Sequence, residues 1–259
     1  MPEFSNDFLH KVSAGKVKGA SNVYKFGQAE VGGTFTTVSQ DLTYKTPIAP
    51  VSLEIVSDNA GDSALGLGAR QMSVSGIASD YTELTEIVEL NGTTAVPLLN
   101  QFLRVYRVAV CCSGTYATEA ASSHLGNITV QETGGGAVWG SCQTFGGMGM
   151  GSSLIGAFTI PKDHTAHLIR MVLHSETAKA VDIAYFVREG IDQVVAPFTP
   201  MKMSSLDRSP EGGTVSVPKG LSRELTGPCD IGYMAKTASG AGNATVSVAF
   251  DLLLLNRHG

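Results

Sequence analysis

Residues Leu154 to Glu189 constrain this chain more than any other stretch. They read LIGAFTIP, TAHLIRMVLHS and AVDIAYFVRE, separated by the short polar runs KDH and ETAK. Apolar runs too short for helices, rich in β-branched and aromatic residues and bounded by turn formers, predict three β-strands. Regular alternation along the middle strand puts Leu168 and Val172 on one face and Ile169, Met171 and Leu173 on the other. Both faces are then apolar, so Met171 and Val172 mark a strand where core and subunit contact meet.

The same vocabulary recurs along the chain. VSLEIVS places Val51, Leu53 and Ile55 on one face, and ATVSVAFDLLLLN does the same for Val246, Val248, Phe250, Leu252 and Leu254. LRVYRVAVCC is apolar on both faces, as a covered central strand is. Asn91-Gly92 signals a tight hairpin turn. The connection after Glu189 holds three prolines and is expected to contribute one edge strand at Gln193 to Ala196. These features predict an all-β chain: a jelly-roll-like β-sandwich over residues 34–259, preceded by an extended N-terminal arm at residues 1–33.

In that arm, Ser5-Asn6-Asp7 caps a short helix carrying Phe8, Leu9 and Val12 on one side. Lys11, Lys16, Lys18 and Lys25 make it the basic segment of the chain. Phe8, Tyr24 and Phe26 give it apolar surface to bury against a neighbouring subunit. A second unusual stretch, Gly134 to Ser153, is glycine-rich and reads as a long loop holding Trp139, Phe145, Met148 and Met150. Trp139 either folds back over one end of the sandwich, docks with Phe145 on a partner, or stacks on a sugar.

Evidence for chemistry is sparse. His164, His167 and His174 are the one histidine cluster, but His167 and His174 are seven apart and fall on opposite faces of a regular strand. Convergence on a metal would need a bulge. Cys111, Cys112, Cys142 and Cys229 lack metal or disulfide spacing and read as free thiols. No G-x-S-x-G or H-E-x-x-H pattern occurs, and the pairs Glu83/Glu86 and Asp58/Asp62 read as solvated surface charge. No enzyme activity, cofactor or metal is therefore expected.

A net charge of -5 gives no general case for nucleic acid. No basic segment followed by an apolar run marks a secretory signal, no apolar run matches a membrane helix, and no membrane partner is expected. Charged residues make up 16% of the chain, against roughly 25% in ordinary soluble proteins. A surface this sparing in charge suits a protein that hides part of it against copies of itself.

TELTEIVELNGTTAV, FLRVYRVAV, GNITVQ, LIGAFTIPKDHTAHLIRMVL, AVDIAYFVRE and NATVSVAFDLLLLNR together resemble small virion structural proteins of tailed bacteriophages, especially marine ones. The resemblance spans about residues 70–259 and lies in strand order and turn wording, with no active-site motif to carry over. It implies a β-sandwich used in many copies as a capsid decoration, head-to-tail or tail/fibre component. Such a protein would be made in the host cytoplasm and found in the virion, with other virion proteins and copies of itself, a trimer first, as partners. The alternative is a carbohydrate- or receptor-binding sandwich that takes a host-surface glycan on the Trp139 loop.

Overall fold

The computed structural model describes residues 5–116, 118, 122–176, 179–209, 213–218, 223–238 and 242–257. A helix, α1 (Ser5–Ser13), leads into strand β1 (Ala20–Val31) and a short strand β2 (Thr36–Thr37). Nine strands follow: β3 (Val51–Ser57), β4 (Ala69–Ile77), β5 (Glu83–Glu89), β6 (Val96–Phe102), β7 (Arg104–Ser113), β8 (Ile128–Glu132), β9 (Val138–Cys142), β10 (Thr144–Phe145) and β11 (Met148–Gly149). The chain then runs through β12 (Ala157–Ile160), β13 (His164–Ser175), β14 (Val181–Glu189), β15 (Lys202–Ser209), β16 (Gly213–Pro218), β17 (Leu225–Thr226), β18 (Cys229–Thr237) and β19 (Ala244–Asn256). The three strands expected between Leu154 and Glu189 are β12, β13 and β14.

Two sheets form the main sandwich, in the orders β1-β19-β13-β16 and β12-β18-β14-β15, all pairs antiparallel. Numbering these strands one to eight along the chain gives 1-8-3-6 opposite 2-7-4-5. That is the jelly roll, in which successive strands alternate between the two sheets except four and five, which pair within one. Its core holds the predicted face of the last strand, Val246, Val248, Phe250, Leu252 and Leu254, packed against Ile183, Val187, Ile231 and Tyr233. Gly27 of β1 lies against the segments leading into β12 and out of β2: an added Cβ would lie 2.2 Å from the backbone of Gly156 and Val38, so no side chain fits.

Residues between the first two jelly-roll strands build a second unit. Its sheets, β6-β3-β8-β9 and β5-β4-β7, enclose a separate apolar cluster that includes Leu53, Ile55, Met72, Val74, Val108, Val130 and Trp139. The expected uniform sandwich over 34–259 is thus divided between two cores. Alternation reports that a face is buried but not against which sheet. The boundary at residue 33 also moves. The extended arm is confined to the residues before Ala20, because β1 pairs with β19 along its whole length and buries Ala29 and Val31. No strand forms at Gln193 to Ala196; the edge strand is β15, between Pro200 and Pro210.

The two units are joined by a buried ion pair. Arg104, at the start of β7, donates from Nε to Asp230 Oδ1 at 3.0 Å and from Nη2 to Asp230 Oδ2 at 2.9 Å. Its Nη1 donates to the carbonyls of Pro47 and Leu103. Thr159 Oγ1 donates to Asp230 Oδ1 at 2.5 Å, which leaves the Tyr44 hydroxyl as donor to Thr159 at 2.6 Å. Both charges of this pair are hydrogen-bonded on several sides, the condition under which a buried pair is tolerated.

The alternation of β13 breaks in its middle. A register shift between Leu168 and Arg170 inserts one extra residue against β19. Leu168, Met171 and Leu173 then pair with Leu252, Phe250 and Val248 and face the core together. Val172 pairs with Ala249 on the outer face. This corrects the sequence reading, which set Leu168 beside Val172.

Two outcomes follow. Met171→Asp should abolish cooperative unfolding near room temperature, since it buries an unpaired carboxylate, whereas Val172→Asp should shift the urea midpoint only slightly. Arg104→Met should cost about 3–5 kcal/mol by stranding Asp230, and adding Asp230→Leu should recover part of that loss in the same urea titration.

Candidate assembly face and distal loops

The outer face of the first jelly-roll sheet gathers several of the expected interface residues. Successive rows across β1, β19 and β13 read Tyr24–Asp251–Arg170 and Phe26–Ala249–Val172. Arg170 Nε closes the first row with a 3.0 Å ion pair to Asp251. Tyr24 and Phe26 are exposed and Val172 is half-buried. Helix α1 covers the adjoining part of this face: Leu9 and Val12 line a groove with Ile169 and Leu253, while Phe8 stays exposed. Tyr24, Phe26 and Val172 therefore share one patch beside the helix that bears Phe8, and Met171 lies beneath it in the core.

A further apolar surface lies at the edge of the opposite sheet. A register shift in β15 sets Met203 against Phe186 and Leu206 against Ala184, so both point to the same face. They are 51% and 60% exposed, and Val194, Val195, Phe198 and Met201 in the approach to this strand are exposed too. The sequence does not mark this strand: KMSSLDRS holds only Met203 and Leu206 as apolar residues, three apart, off the two-residue strand period.

Trp139 does not stand in a loop. It belongs to β9, is 2% exposed, sits in the second core, and donates its indole N–H to Glu132 at 3.2 Å. A sugar cannot stack on it while the fold is intact, which removes the basis for the glycan alternative. Phe145 lies nearby in sequence but is exposed, on the β10–β11 hairpin with Met148 and Met150.

That hairpin is one of four loops packed together at one end of the second unit. Asp62, read from sequence as a solvated charge, is completely buried and organises them. Its carboxylate accepts from Ser57 Oγ and from the backbone N–H groups of Ala69, Leu125 and Gly126, at 2.7–2.9 Å. Glu86 plays a similar part at the irregularity in β6, accepting from the N–H groups of Leu99 and Asn100. Nothing in the spacing of these acids separates an organiser from a solvated charge; only its surroundings do.

The bulge in β13 has a second consequence. It brings His167 and His174 to the same outer face, as His167 pairs across to Leu253 and His174 to Ser247. They remain about 20 Å apart by strand rise alone. Each has its own neighbour, Glu224 at 3.8 Å for His167 and Thr214 at 2.8 Å for His174. Among the described residues, no three His, Cys, Asp or Glu side chains are placed to hold a metal ion. The four cysteines are free: Cys111 and Cys112 are exposed, Cys142 and Cys229 buried, and burial raises the thiol pKa of Cys142 to about 12.

No family model matches the chain, and no curated protein sequence matches it either. Among solved structures, it aligns with the infectious bursal disease virus VP2 subviral particle at 9% identity and a TM-score of 0.23, covering 98% of this chain and 78% of that one. The Gx strain of the same virus gives 9% identity and a TM-score of 0.23, with coverages of 93% and 73%. Superposition at this level establishes no shared fold.

One group at the seam titrates near neutrality. Lys25 points inward from β1 and donates to the Tyr106 carbonyl of β7, while Tyr106 donates its hydroxyl to Glu83. Burial, and secondarily the Arg107 charge, lowers the Lys25 pKa from 10.5 to about 7. Between pH 7 and 10.5 the unfolded chain keeps this proton and the folded chain does not, so stability rises with pH across that window and the full penalty applies below it. Lys25→Met should therefore gain most relative to the parent below pH 7, by an amount on the order of a few kcal/mol, and the gain should shrink towards pH 10.5. Urea midpoints of both proteins across that range test the sign.

Proposed function

We propose that this chain is a structural subunit of a virus particle that works by assembling with copies of itself. One observation carries the reading: a jelly roll whose edge strand β15 presents Met203 and Leu206 outward and exposed. A free edge with apolar side chains invites pairing unless a partner covers it. The patch of Tyr24, Phe26 and Val172 beside Phe8 supplies a second contact surface on the opposite sheet. Low charge content agrees with both. The resemblance in strand order points further, to a tailed-phage capsid decoration, head-to-tail or tail/fibre component made in the host cytoplasm. It also makes a closed homo-oligomer, a trimer first, and neighbouring virion proteins the partners. We read the chain as non-enzymatic on the same grounds.

Light scattering of the purified chain at micromolar concentration should give the mass of a multimer. Met203→Lys/Leu206→Lys should reduce that mass to the monomer's while leaving the urea midpoint nearly unchanged, because both side chains are already solvent-exposed. A stable monomer in the unmodified chain would sink the assembly reading. An unchanged mass in the variant would move the contact to the Tyr24–Phe26 face, where Phe26→Lys gives the same readout.

A further inference from the structure

Around its register shift, strand β15 is arranged symmetrically. Tyr185 of β14 pairs with Ser205, and the next residue, Phe186, pairs with Met203, so Ser204 is the extra residue of a bulge. In a regular strand, positions 203 and 206 would lie on opposite faces. With the bulge, Met203 and Leu206 share one face, across from Phe186 and Ala184. Lys202 and Asp207 share the other, across from Val187 and Ile183 of the jelly-roll core. Outward from the bulge, each direction therefore gives a serine, an apolar residue on one face and a charge on the other, and the two charges are of opposite sign. Among the described residues β15 pairs with β14 alone, so no strand runs along its other edge.

We propose that β15 pairs antiparallel with β15 of a second copy, about a twofold axis through the Ser204–Ser205 bulge. The pairing rests on this edge being a contact between copies, as proposed above, and adds which strand it meets and in which register. Met203 of one copy then lies opposite Leu206 of the other on one face, and Lys202 lies opposite Asp207 on the other face. The twofold repeats both contacts. An isologous contact requires a surface that complements itself, and this strand does so in shape and in charge. Apolar and opposite-charge pairs directly across from each other are what stabilise adjoining strands. A lysine and a bulge ordinarily keep a free edge from pairing. Here they select one register: an axis at Lys202 would oppose two lysines, and an axis at Asp207 two carboxylates. Strand β1, the edge of the other sheet, has no bulge, and its Lys25 and Glu30 fall on opposite faces, so self-pairing cannot bring them together.

Light scattering of charge variants at low ionic strength tests the register. Lys202→Glu and Asp207→Lys should each weaken association about tenfold or more, since each turns both attractive charge pairs across the twofold into repulsive ones. The double variant Lys202→Glu/Asp207→Lys exchanges the charges and should associate as the parent does. An equimolar mixture of the two single variants should associate as well, because both pairs across the twofold are again of opposite sign; that recovery also shows that each single variant is folded. The multimer should contain an even number of chains. A monomeric unmodified chain overturns the assembly reading and this pairing with it. A parental multimer with an odd number of chains, single variants that associate like the parent, or no recovery in the double variant and the mixture overturns the twofold pairing alone and leaves the assembly reading standing.

Discussion

The Arg104–Asp230 pair is the interaction on which the rest of the arrangement depends. It ties the first residue of β7 to β18, and so ties one complete β unit to the outside of a jelly-roll sheet. A charged pair with both members almost fully buried has a large desolvation cost, and here Thr159, Pro47, Leu103 and, through Thr159, Tyr44 satisfy its remaining donors and acceptors. Such a network is poorly placed to add stability but well placed to fix orientation, because few rotations of the inserted unit would keep its bonds. Lys25 reaches the same seam from β1, where its burial costs stability while it is charged.

Once that seat is fixed, the surfaces sort themselves. The outer face of the β12-β18-β14-β15 sheet is covered where the inserted unit reaches Asp230, and remains open and apolar at β15. The outer face of the other sheet is covered by α1 at Leu253 and Ile169, and open at Tyr24 and Phe26.

Much of the architecture was legible in the residues. The three strands around β13, the half-and-half alternation of β19, the short helix from Ser5 and the all-β class all follow from periodicity and turn chemistry. What escaped had a common cause. The bulge after Leu168 exchanges the faces of the residues beyond it, and no residue type announces it, so regular alternation set Met171 and Val172 with the wrong strand-mates. Trp139 sits in a glycine-rich stretch whose composition reads as loop, yet alternation within a five-residue strand buries it. Asp62 and Glu86 look like any surface acid until the loops they hold are folded around them.

The sequence by itself determined that the chain is predominantly β, where most strands lie, and that charged residues are sparse. These are local properties, set by side-chain type and spacing within a few residues. Only the tertiary structure decided that the strands divide into a jelly roll and a second sandwich with its own core, that Arg104 and Asp230 meet across the chain, and that Met203 and Leu206 share one face of β15. Those facts depend on which distant strands pair and on single-residue register shifts, and neither is encoded in the alternation of any one segment.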